Sequence, residues 1–92
     1  MIVGFRHKGL KRLYESDDPR GLNAQYAAKI ALILGVLDVA KTIEEIDAPS
    51  FRLHPLTGDL RGFWSVTVRA NWRIIFRFED ANVFDVDLVD YH

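Results

Sequence analysis

His54, Asp90, Tyr91 and His92 are residues of this chain whose types suit chemistry and whose positions no apolar face requires. Imidazole titrates near neutral pH without a large perturbation, so two histidines and a tyrosine are suited to proton transfer. Arg69, Arg73 and Arg77 recur in the same C-terminal half, and guanidinium groups hold phosphates and stabilise charge that builds on them. A base, an acid and positive charge together suit cleavage of a phosphodiester by an internal 2′-hydroxyl, chemistry that needs no metal. Each residue also has a plainer reading. Cross-strand ion pairs with Asp85 and Asp87 would account for the arginine row. His54, followed by Pro55, would satisfy turn backbone groups, and the terminal Asp90-Tyr91-His92 would be a frayed tail.

Other constellations fail. The histidines at positions 7, 54 and 92 have no local ligand spacing, so a metal site would need a tertiary accident, and neither metal nor cofactor is expected. There is no Gly-rich phosphate loop and no nucleophile elbow. Trp64 and Trp72 read as core, whereas Tyr91 is a candidate to stack on a base.

The 92 residues are expected to form one domain spanning 1–92, large enough to fold without a staple. With 49% hydrophobic and 27% charged residues, the composition is that of an ordinary globular chain. The chain has no cysteine, which rules out thiolate chemistry and fits a reducing cytoplasm. Its longest apolar run, residues 30–36, is far below the ~20 residues of a membrane span, and the N-terminus lacks a signal peptide's pattern. A soluble cytoplasmic protein is expected. The formal charge of −1 puts the burden of any RNA contact on local clusters: Arg6, His7, Lys8, Lys11 and Arg12 at one end, and the arginines that follow the midpoint.

Those side chains must be carried by regular elements. Residues 1–5 suit a first strand, and Leu10, Leu13 and Tyr14 have helical spacing that the cluster from Ser16 to Gly21 ends. Residues 23–40 form the best helix, with Asn23 as a possible N-cap and Ile30, Ile33, Leu34 and Leu37 as its core stripe. Thr42 and Glu45 have capping-box spacing. From Ser50 the period becomes two: residues 50–56 place Arg52 and His54 on one face. Residues 62–70 follow, with Trp64, Val66 and Val68 on one face. Residues 72–78 oppose Ile74, Phe76 and Phe78 to Arg73, Ile75 and Arg77. A bulge or odd-length loop matching Arg69 to Arg73 would build an arginine face. The last strand, 83–89, offers Phe84, Val86 and Leu88 to one side and Asp85 and Asp87 to the other. The fold class is therefore α+β, with an antiparallel meander packed on helices.

Several ordered segments carry a resemblance: Phe5-x-His7-Lys8-Gly9-Leu10-Lys11, Phe51-Arg52-Leu53-His54-Pro55-Leu56, Gly58-Asp59, Gly62-Phe63-Trp64-Ser65-Val66, Val68-Arg69-Ala70-Asn71-Trp72-Arg73-Ile74 and Asp90-Tyr91-His92. Together they resemble the HigB (killer protein) group of the RelE/ParE superfamily. The resemblance implies a RelE-like fold with an N-terminal strand and two main helices on a sheet of about four strands. It implies a type II toxin that cuts mRNA in the ribosomal decoding site and is silenced by a helix-turn-helix antitoxin of the HigA type, with operator DNA met only through the antitoxin. Matched by position, His54, Asp90, Tyr91 and His92 fall on catalytic positions and Arg73 on a phosphate-contacting arginine. Thr57 stands where the family pattern has a lysine after His-Pro-Leu. A hydroxyl does not replace an ammonium, and loss of one charge-assisted contact would cost on the order of 10² to 10³ in rate. Arg52, Arg61 and Lys8 are candidates to supply that charge, with Arg69 beside Arg73 in the basic row.

Two functions follow from these readings. One is a metal-independent endoribonuclease; the other, which Thr57 favours, is a RelE-like scaffold that binds an antitoxin with weak or lost nuclease activity. A nonspecific RNA-binding domain fits less well with the charge and the lack of exposed aromatic repeats.

Overall fold

The computed structural model describes residues 1–91. In chain order these form α1 (Lys8–Ser16), α2 (Ala27–Val39), β1 (His54–Pro55), β2 (Trp64–Arg69), β3 (Trp72–Glu79) and β4 (Asn82–Asp90), with short 3-10 turns between α2 and β2. The four strands make an antiparallel sheet in the order β1-β2-β3-β4, which bears out the α+β class. The N-terminal residues run parallel to the outer edge of β4: Val3 and Arg6 donate backbone N–H groups to Val83 and Val86, each at 2.8 Å, around bridges at Ile2 and Phe5.

His7 starts α1, its Nδ1 accepting from the Leu10 N–H at 3.2 Å. Asp17, in the left-handed region at φ 53°, stops it. The next segment folds back so tightly that a Cβ on Gly9 would lie 2.6 Å from the Gly21 carbonyl oxygen, so both glycines serve close backbone approach. The long helix begins later than its apolar period suggests. Asn23 Oδ1 accepts from the Gln25 N–H at 2.9 Å, and this local Asx turn uses the side chain before regular helix starts at Ala27. The stripe Ile30, Ile33, Leu34 and Leu37 is buried as the spacing requires. Thr42 does not act as a side-chain cap; Glu45 instead accepts from the Lys41 N–H at 2.8 Å.

The sheet corrects the sequence reading at three places. Residues 50–56 are not one strand: Pro49–Phe51 is a 3-10 turn, Arg52 turns left-handed at φ 51°, and only His54 and Pro55 pair with β2. The hairpin after β2 does contain a bulge, but it matches Thr67 to Arg73 and Arg69 to Trp72. A second irregularity in β4 puts Asp85 at φ 54°, and the extra residue shifts the apolar phase. Val83 and Val86 are buried, not Phe84 and Val86.

Two cores result, one on each face. Ile74, Phe76, Val66, Val68, Val83 and Val86 pack with Leu10, Ile30, Ile33 and Leu37 beneath the helices. On the face that the helices leave uncovered, Leu56, Phe63 and Ile75 form a smaller cluster with Leu60 and Val89. Polar residues share that face with the second cluster, and of these Ser65 is buried while His54 is exposed.

Candidate active site on the open face of the sheet

Direct cross-strand partners in an antiparallel sheet share a face, so the register identifies the neighbours of His54. It lies opposite Ser65, Ser65 opposite Ile75, and Ile75 opposite Asp87. Thr67, Arg73 and Val89 form the adjoining row. His54 is exposed, and its Nδ1 lies 3.4 Å from the Arg52 carbonyl. A carbonyl can only accept, so this long contact favours the tautomer with its proton on Nδ1 and leaves Nε2 able to take a proton. The carbonyl belongs to the residue that turns left-handed at φ 51°.

Arg73 is half-buried. Its guanidinium donates to the Ala70 carbonyl and, at 3.2 Å, to the Trp72 carbonyl. Tyr91, just past β4, donates its backbone N–H to the Asn71 carbonyl at 2.7 Å, and its side chain is 44% exposed. The two-residue loop Ala70-Asn71 thus anchors both Arg73 and Tyr91. Two strand spacings and two residues along a strand separate the His54 and Arg73 backbones by roughly 12 Å.

The other proposed site residues are dispersed. Asp90 lies opposite Trp72, on the helix-side face by alternation, and is exposed at the strand end. Arg69 also faces Trp72 across the hairpin, so the bulge removes it from the Arg73 row. Arg77 does remain on the open face by alternation, yet it pairs with Asp85 at 3.2 Å, as the plainer cross-strand reading expected. Arg52 is exposed in its turn and Lys8 is the exposed first residue of α1. Thr57 is exposed ahead of the turn Gly58–Leu60. His92 lies outside the described residues.

Arg6 belongs to the N-terminal basic cluster that the sequence offered for RNA contact, but nothing in the sequence singled it out as a site residue. Its guanidinium lies 5.1 Å from the centre of the Phe63 ring, within the open-face cluster. Alternation gave the only available signal: Phe5 packs toward the main core, so the next side chain points the other way.

Among the described residues, no three His, Asp or Glu side chains gather as a metal site would, and no helix is long and apolar enough to cross a membrane. Two carboxylates elsewhere in the molecule are held ionised by their partners. The Arg20 side chain and N–H hold Asp18 down to about 2. Asp38, which accepts from the Ile2 N–H at 3.0 Å and the Tyr14 hydroxyl at 2.7 Å, also sits below the usual carboxylate range.

Residues 3–92 match the family described as the RelE-like toxin of type II toxin-antitoxin system HigB. The chain is 45% identical to an endoribonuclease HigB of Proteus vulgaris, over the full length of both. It is 32% identical to toxin HigB-1 of Vibrio cholerae serotype O1, over 88% of this chain and 87% of that one. Among solved structures it resembles a YoeB/ParE toxin from Agrobacterium tumefaciens, with a TM-score of 0.55 at 20% identity, covering 99% of this chain and 96% of the other. That likeness concerns the fold and agrees with the expected RelE-like arrangement.

Proposed function

Because the chain belongs to the HigB-like family of RelE-like toxins from type II toxin–antitoxin systems, we propose that it is an endoribonuclease that cuts mRNA in the ribosomal decoding site. The family implies an antitoxin partner; we infer one of the helix-turn-helix HigA type, acting in the cytoplasm. The observation that carries the reading is the shared anchoring of Arg73 and Tyr91 on the Ala70-Asn71 loop, on a sheet whose open face also presents His54.

In this mechanism the 2′-hydroxyl oxygen of one nucleotide attacks the adjacent phosphorus. Its proton passes to a base, the bond from phosphorus to the 5′-oxygen breaks, and that oxygen takes a proton from an acid, leaving a 2′,3′-cyclic phosphate. His54 Nε2 is free to serve as base in the tautomer its Nδ1 contact favours. His92 supplies the second proton-transfer group and Asp90 supports it. Tyr91 positions the nucleotide by stacking, and Arg73, held through Nη1 by its loop carbonyls, turns its remaining N–H groups to charge on the phosphorane.

Primer extension on a defined mRNA in a reconstituted translation reaction tests this reading, comparing the native protein with His92→Ala and Thr57→Lys. Cleavage within the decoding-site codon that His92→Ala abolishes and Thr57→Lys accelerates is the expected result. Absence of cleavage by the native protein with cleavage by Thr57→Lys would favour the second reading, an antitoxin-binding scaffold with disabled chemistry, for which a neutral residue at position 57 is the supporting observation.

A further inference from the structure

Arg6 has an unusual setting for a surface arginine. Its backbone N–H is fixed to the Val86 carbonyl at 2.8 Å, which places it beside β4 at the level of the row His54, Ser65, Ile75 and Asp87. Its guanidinium rests 5.1 Å from the Phe63 ring centre, and Phe63 packs with Leu56 and Ile75 on the open face. The Leu56 N–H donates to the Phe63 carbonyl at 2.9 Å, so the loop that starts at Thr57 is clipped to the same ring-bearing residue. Among the described residues no carboxylate lies within 4.0 Å of Arg6 as Asp85 does of Arg77 and Asp18 of Arg20.

A guanidinium held over an aromatic ring still has N–H groups for an anion, and the apolar surface beneath weakens solvent screening. The stack also limits the rotamers that a long side chain must give up when it meets an anion. We propose that Arg6 binds a substrate phosphate on the open face and supplies positive charge to a site in which position 57 is neutral. This assignment deepens the endoribonuclease reading and rests on the same face being the RNA-binding one.

The test is binding of a short single-stranded RNA that carries 2′-O-methyl groups and cannot be cleaved, measured by fluorescence anisotropy across salt concentrations. Arg6→Ala is expected to weaken binding about 10-fold and to reduce the salt slope by roughly 0.7, the value of one phosphate contact on a single strand. Arg6→Lys keeps the charge but not the guanidinium's contact with the ring and falls between, and Phe63→Leu weakens binding with Arg6 still present. Arg20→Ala, which removes an exposed cation already paired with Asp18, leaves binding unchanged. Equal affinity and salt slope in Arg6→Ala and native protein would overturn the assignment, as would absence of binding by the native protein. Native binding that depends on Arg6, without cleavage in the translation reaction, would sustain the phosphate site and remove the endoribonuclease reading.

Discussion

Arg73 shows how much the position of a charge matters at the scale of single residues. One nitrogen of its guanidinium, Nη1, donates to two carbonyls of one hairpin, Ala70 and Trp72, and the rest of the planar fork that lysine lacks extends beyond them. Arg77 carries the same charge on the same strand, yet Asp85 neutralises it at 3.2 Å. In the proposed reaction, Arg73→Ala lowers the single-turnover cleavage rate on the order of 10² to 10³, as loss of one preorganised donor does elsewhere. Arg73→Lys restores only a small part of the rate, because a point charge does not reproduce the fork. Arg77→Ala has little effect on the rate. Equal losses at Arg73 and Arg77 would show that the rate follows general positive charge and not a placed donor.

Turns decide how the elements deliver these side chains. The β3–β4 connection runs through Asp80 at φ 51° and Ala81 at φ 64°, a pair of left-handed residues of the kind that suits a tight hairpin. An alanine there is strained where glycine is not. Ala81→Gly is therefore expected to stabilise the protein by about 0.5–1 kcal/mol, partly offset by a more flexible unfolded chain; a rise in urea midpoint at unchanged slope checks it. The β4 bulge at Asp85 is different, because there the positive φ accompanies the Arg77 contact and the shift that buries Val83. The Ala70-Asn71 loop has its own left-handed residue in Ala70, at φ 52°, and its two carbonyls anchor Arg73 and Tyr91.

Across the whole molecule, Asp38 joins parts of the chain that are distant in sequence: its carboxylate on α2 accepts from Ile2 at the N-terminus and from Tyr14 on α1. The Ile2 N–H, then the Tyr14 hydroxyl, hold its ionisation below the ordinary aspartate value. A carboxyl depressed in the folded state stabilises the fold above its unfolded pKa, near 3.9, and that contribution is lost as pH falls through the folded value. The Tyr14 phenol, raised chiefly by its hydrogen bond to Asp38, acts with the opposite sign: its contribution is complete below the unfolded value near 10 and disappears as pH rises through the folded one. Asp38→Asn should be less stable than native protein by a constant margin between about pH 5 and about pH 9 and should approach it in acid. Chemical denaturation from pH 7 to pH 2.5 measures this, and a margin that does not shrink in acid would remove the linkage.

Much of this was legible in the sequence because it depends on local periodicity. The α2 stripe, the alternation that buries Ile74 and Phe76 on one face and Ile75 on the other, the α+β class and the HigB-like segments all belong to that level. So did the candidate residues His54, Arg73 and Tyr91, whose side chains no core required. Tertiary structure decided which of them share a face, since one added residue in a strand reverses everything after it. The bulge before Arg69 moved that arginine out of the row and set Thr67 opposite Arg73, and the bulge at Asp85 exchanged Phe84 for Val83 in the core. Arg6 was hidden for the complementary reason: its seat on Phe63 joins the start of the chain to its second half, and no pattern confined to neighbouring residues encodes a contact formed only when the N-terminal segment lies along β4.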